Sequence, residues 1–128
     1  MSKQRHANPD TKHVGNGKRR KRFRDKRRSE AGSHFTATRL GDSRVLEYAR
    51  SKGGRPKLKL KRVAYANVVT AKGSSRVKIN EVVASGANRN FPRQNIITKG
   101  ATIRTELGNA VVTNRPAREG VVNARLIE

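Results

Sequence analysis

Side chains able to do nucleophilic, acid–base or metal chemistry are few in this sequence and widely spaced. The 128-residue chain has no cysteine, which excludes disulfides and thiolate zinc sites. Its histidines are His6, His13 and His34. None has another histidine or an acid cluster at ligand spacing, so no metal site is expected. The nine acids stand singly, without the paired carboxylates that acid–base catalysis uses. Gly15-Asn16-Gly17-Lys18 has part of the composition of a phosphate loop, but it lacks the full glycine spacing, the Ser or Thr after the lysine and a preceding strand. It reads as a flexible segment whose glycines allow close backbone approach to a polyanion. No catalytic residue and no cofactor is expected.

The abundant chemical group is the cation. Lys and Arg number 31 against 9 Asp and Glu, a net charge of +22 and a pI of about 11.8. A charge of that size repels itself and weakens the compact state unless a polyanion neutralises it. Nucleic acid is the polyanion expected, because each neutralised phosphate releases condensed counterions.

Residues 1–35 hold 12 Lys and Arg against 3 acids. Their few apolar residues cannot bury enough area to offset ordering entropy, so this extension is expected to be disordered when free. Its densest run supplies candidate RNA contacts at Lys18, Arg19, Arg20, Lys21, Arg22, Arg24, Lys26, Arg27 and Arg28. A nuclear or nucleolar address signal, or a solvating tail, is the other reading of that run.

A second candidate is Ala87-Asn88-Arg89-Asn90-Phe91-Pro92-Arg93-Gln94-Asn95. Arginine forks suit phosphate oxygens, and Asn and Gln amides suit 2′-hydroxyls and base edges. The contacts expected here are Asn88, Arg89, Asn90, Arg93, Gln94 and Asn95, with Ile96-Ile97-Thr98-Lys99-Gly100 anchoring the segment to the scaffold. The alternative is an Asn-rich turn held by its own side-chain-to-backbone bonds. The aromatics are Phe23, Phe35, Phe91, Tyr48 and Tyr65. Tyr48 and Tyr65 are expected in the core or as rim hydroxyl donors, so recognition is expected to be of backbone and shape rather than by base stacking.

The elements that must position these groups read as strands joined by Gly-, Pro- and Asn-rich turns over residues 36–128. Lys57-Leu58-Lys59-Leu60-Lys61 alternates with period two, with leucines inward and lysines outward. The phase then slips at Val63 and Tyr65, which a β-bulge near Lys61-Arg62 explains. Arg76-Val77-Lys78-Ile79 alternates again and Val82-Val83 continues it past another irregularity. Ala101, Ile103 and Leu107 share one face, as do Val122, Ala124 and Leu126. Lys52-Gly53-Gly54-Arg55 reads as a hairpin turn with glycines at positive φ. About six short strands without an amphipathic helix predict an all-β fold, a small antiparallel six-stranded-type β-barrel, carrying the core-less basic extension at its N-terminus. A two-sheet sandwich satisfies the same periodicity. No apolar stretch approaches a signal-peptide core or a membrane span.

Several segments resemble one family. They are Tyr65-Ala66-Asn67-Val68, Asn88-Arg89, Arg93 through Ala101, Thr105-Glu106-Leu107-Gly108, Val112-Thr113-Asn114-Arg115-Pro116 and Glu119 through Ala124, with Thr38-Arg39-Leu40-Gly41 and the Gly53-Gly54 hairpin upstream. Together they are similar to the archaeal and eukaryotic-type (e-type) small-subunit ribosomal protein S-eight family, and the short length suggests an archaeal member. Arg55-Pro56 stands where that family more usually has Asn-Arg. The resemblance implies a small β-barrel that binds small-subunit ribosomal RNA beside neighbouring ribosomal proteins on cytoplasmic ribosomes. It carries over Lys52, Gly53, Gly54, Arg55, Asn88, Arg89, Arg93 and Lys99 as RNA contacts. Arg39, in a matching segment, and Lys57, the first outward lysine after the hairpin, complete the set. Rival expectations are a ribosome-assembly factor that shares the domain, a nucleoid-type DNA-binding protein and, last, a small nuclease.

Overall fold

The computed structural model describes residues 32–51 and 53–127. The candidates in residues 18–28, the Gly15–Lys18 segment and Lys52 lie outside them. The chain divides into two units at Phe35 and Thr36. Of the first unit only residues 32–35 are described, and the elements that follow all belong to the second, Thr36–Glu128.

The described residues of that unit form eight strands in two sheets. Strands β1 (Arg39–Leu40), β2 (Val45–Arg50) and β3 (Pro56–Val63) form a three-stranded sheet in the order β1-β3-β2. Strands β4 (Tyr65–Thr70), β5 (Gly73–Ala84), β6 (Thr102–Thr105), β7 (Gly108–Val112) and β8 (Asn123–Leu126) close into a barrel. The barrel is therefore five-stranded rather than about six, and the remaining strands form a separate sheet. Its pairings from β4 through β8 are antiparallel, whereas β8 meets β4 in parallel at Asn67↔Asn123, Val68↔Ala124 and Val69↔Arg125. Parity requires this. Strands that alternate direction around a ring of odd number must meet one neighbour in parallel. Closure leaves the barrel without a free edge for another chain to pair with.

The interior of so small a barrel takes small side chains. Ala66, Val68, Val77, Ile79, Ile103, Ala110, Val112 and Ala124 fill it by period-two alternation, Val82 joins them past a bend of β5, and Ala101 and Val122 pack with them. β5 has 12 residues and serves two neighbours. It bends at register shifts between Ile79 and Glu81 and between Val82 and Ala84, as the irregular alternation near Val82-Val83 predicts.

The β1-β3-β2 sheet shares the same core. Leu60 and Val63 belong to the buried cluster, with Leu40 and Leu46 packed against it. Val45 pairs with Arg62 but Leu46 with Leu60, so Lys61 is the extra residue of a bulge. That is the phase slip read from the sequence. Thr38, fully buried, donates its hydroxyl to the Leu60 carbonyl at 2.8 Å, which satisfies the one polar atom it brings into the core.

Three side-chain assignments are corrected. Tyr65 begins β4 on the outer face and is 45% exposed, because the bend at Ala64 resets the parity between β3 and β4. Tyr48 shares a face of β2 with Leu46 and pairs with Leu58, yet it is 64% exposed. Neither is a core residue. Leu107 is not on the Ala101–Ile103 face: with Glu106 it forms the two-residue turn between β6 and β7, where Thr105 pairs with Gly108. Thr105 takes the inward position instead, its hydroxyl donating to the Gly108 carbonyl at 2.8 Å.

Candidate nucleic-acid interface

The β2–β3 hairpin presents the first group of candidate contacts. Gly53 and Gly54 have φ of +85° and +81°, the left-handed region that side chains with a Cβ resist. The tip is held by its own atoms. The Gly54 N–H donates to the Ser51 carbonyl at 3.3 Å, and the Ser51 hydroxyl donates to the Arg55 carbonyl. Arg55 and Lys57 are exposed and make no ion pair among the described residues.

The 88–100 segment is a different kind of loop. A single 3-10 turn, Pro92–Gln94, ends at Asn95, whose φ of 49° and ψ of 42° are left-handed. Asn is the side chain that best tolerates that conformation after Gly. Ile96 and Ile97 follow, 3% and 2% exposed, and anchor the loop as expected. The backbone is stitched to β1: the Leu40 N–H donates to the Asn95 carbonyl at 3.0 Å, and the Ile97 N–H to the Thr38 carbonyl at 2.8 Å. Two of the amides proposed for RNA also serve the fold. Asn95 Oδ1 accepts from the Val82 N–H at 3.3 Å, between the two bends of β5. Asn88 Oδ1 accepts from the Asn90 N–H at 2.9 Å. Arg89, Asn90, Arg93, Gln94 and Lys99 are exposed.

The structure brings some candidates together and keeps others apart. Arg39 pairs with Arg62 on β3 and bridges to Ile96, so it stands between the loop and the exposed Arg62. The hairpin tip lies at the opposite end of β3, about 20 Å away at roughly 3.3 Å per residue. Basic groups thus occupy two ends of one strand.

Charge is distributed to match. Lys61 is paired with Glu47 at 3.0 Å and Arg104 with Glu81 at 2.6 Å. The other exposed cations, including Arg39, Arg55, Lys57, Arg62, Arg89, Arg93 and Lys99, have no ion pair among the described residues. A hydrogen bond from Lys61 holds the Glu47 carboxyl below the usual carboxylate range. Glu119 is held low mainly by a hydrogen bond from Asn114, then by the Arg115 N–H. Glu119 closes the four-residue helix α1 (Pro116–Glu119). Among the described residues no group of three His, Cys, Asp or Glu side chains is placed to hold a metal. Among them, too, no helix is long and apolar enough to cross a membrane.

Sequence reasoning missed Arg62, Arg44 and the Tyr65–Arg76 pair. The bulge at Lys61 was the signal for Arg62, since it turns that residue outward. Arg44 Nε donates to the Gly120 carbonyl at 2.9 Å, a long-range contact that no local pattern announces. Arg76 lies with its guanidinium 4.6 Å from the centre of the Tyr65 ring.

Comparison with known proteins sharpens this picture. The model of the family described as ribosomal protein S8e matches residues 7–127. The protein named small ribosomal subunit protein eS8 from Hyperthermus butylicus is 46% identical over 96% of this chain and 91% of its own length. Its namesake from Sulfolobus acidocaldarius is 43% identical over 92% and 93% of the two chains. That from Methanococcus aeolicus is 45% identical over 80% and 81%. All three come from archaea, and the agreement spans both the three-stranded sheet and the barrel: this chain belongs to the ribosomal protein S8e family.

Proposed function

We propose that this protein is a structural constituent of the small ribosomal subunit, with a role in translation and subunit assembly and with no catalytic activity. The observation that carries the reading is the family match across residues 7–127, with relatives named as small-subunit proteins aligned over nearly their whole length. Its partners in this reading are small-subunit ribosomal RNA and the adjacent ribosomal proteins, and its place is the cytoplasmic ribosome. No membrane or small-molecule partner is involved.

The unpaired cations support a mechanism of phosphate neutralisation. The hairpin residues Gly53, Gly54, Arg55 and Lys57, with Lys52, approach one stretch of RNA backbone. Arg39 and the loop residues Arg89, Arg93 and Lys99 approach another, about 20 Å along β3. Asn88, Asn90, Gln94 and Asn95 present amide groups to 2′-hydroxyls and base edges. The basic run at residues 18–28 adds further phosphate contacts. Neutralising roughly 6–10 phosphates makes affinity fall by about three to five powers of ten between low and moderate salt.

Sucrose-gradient fractionation of cell extract tests the reading. Stoichiometric sedimentation with mature small subunits is expected. Presence only in pre-ribosomal fractions would replace it with a role as an assembly factor.

A further inference from the structure

Between the end of β3, the outer face of β4 and β5 and the segment after α1 lies a cleft of about 210 Å³. Arg44, Tyr65, Asn67, Arg76 and Val121 line it, and none of its lining residues is acidic. It is below the roughly 300 Å³ at which pockets for drug-sized ligands begin, which suits one planar group rather than a larger ligand. Its chemistry is specific. The Arg76 guanidinium lies over the Tyr65 ring, 4.6 Å from its centre, a cation–π contact. Asn67 donates one amide hydrogen to Asn123 Oδ1 at 3.1 Å, which fixes the carboxamide and leaves its oxygen and second N–H available. Arg44 is tethered through Nε to the Gly120 carbonyl, so its terminal nitrogens are held at the cleft, and it makes no ion pair among the described residues.

A stacking surface, a fixed amide and a tethered guanidinium are the three groups that hold an unstacked nucleotide: ring face, base edge and phosphate. We propose that this cleft binds a single flipped-out nucleotide of RNA, with the base against the Tyr65–Arg76 pair, its edge on Asn67 and its phosphate on Arg44. The inference rests on the RNA-binding reading above and adds a base-stacking contact to what is otherwise backbone recognition.

The chain has two tyrosines and no tryptophan, which supplies the test. In full-length Tyr48→Phe protein, Tyr65 is the only strong emitter. Titration with a short oligouridylate is expected to quench it saturably, and a fully paired RNA duplex of equal charge is expected to do so weakly. By anisotropy of a labelled oligouridylate, Tyr65→Ala is expected to bind about tenfold more weakly, within the range for loss of one stacked base. Tyr65→Phe, which keeps the ring, is expected to bind nearly as the parent does. Thermal melts confirm that each variant is folded. Equal affinity of Tyr65→Ala and parent overturns the proposal. So does quenching by polyglutamate as strong as that by RNA, which would assign the cleft to an acidic protein. Absent quenching with steep, salt-dependent ribosomal RNA binding intact removes the cleft alone. Failure to bind ribosomal RNA at all removes the wider reading with it.

Discussion

The hairpin tip at residues 51–55 and the loop at 88–100 both carry arginine, lysine and glycine, and the loop adds asparagine and proline. The hairpin spends its hydrogen bonds on itself, and nothing lies within 4 Å of where a Cβ would stand on Gly53 or Gly54. The loop spends its bonds on the rest of the fold. It is tied to Thr38, Leu40 and Val82 and sinks two isoleucines into the interior. Two basic surfaces are therefore held in different ways, one by local bonds and one by long-range bonds. The described bonds of the hairpin tip stay within the tip, whereas the loop offers a preformed shape whose polar groups are partly committed.

Separating stability from binding breaks or sharpens that contrast. Ile97→Ala removes the loop's deepest anchor and is expected to cost about 2–5 kcal/mol in chemical denaturation; a cost below about 1 kcal/mol would mean that the loop is no more embedded than the hairpin. Asn95→Ala leaves the Val82 N–H without its acceptor and puts alanine at φ of 49°, for about 2–3 kcal/mol. Asn95→Gly is expected to recover the backbone part and not the hydrogen-bond part. In the hairpin, Gly54→Ala meets no steric obstacle, so its cost is that of the dihedral alone, about 1–2 kcal/mol. Arg55→Ala is expected to change stability by less than about 0.5 kcal/mol while lowering the slope of log affinity against log salt by about one.

The smallest effect concerns acid. Glu119 has its carboxyl held low by Asn114 and the Arg115 N–H, with the nearby charge of Lys99, at the end of the loop, adding to it. A carboxyl lowered by folding contributes stability that is complete above its unfolded value, about 4.3. That contribution is lost as pH falls through the lower folded value. Thermal melts should thus be insensitive to this group from neutral pH to about 5 and should drop below it. Asn114→Ala is expected to flatten that drop, and Arg55→Ala to leave it unchanged.

Much of this was legible in the chain itself. The inward positions of Leu60, Val77, Ile79, Ile103, Val122 and Ala124 follow from alternation, and the bulge at Lys61 follows from its failure. The hairpin follows from Gly53-Gly54. The loop's double role was half legible: Ile96-Ile97 announced an anchor, but nothing local showed that Asn95 would serve Val82, 13 residues earlier. The exposure of Tyr65 was illegible because the parity reset at Ala64 is a matter of where β3 leaves one sheet and β4 enters another.

By itself, then, the sequence determined the charge, the strand character, the turns and which residues share a face, because those depend on side-chain type and on a two-residue period. Only the tertiary structure decided that five strands close the barrel, that β8 returns to β4 in parallel, and that Arg39 joins the 88–100 loop while Arg44 and Arg76 reach one cleft. The reason is physical: alternation marks a face as buried without naming its partner, and the partner is chosen by pairings between residues far apart in the chain.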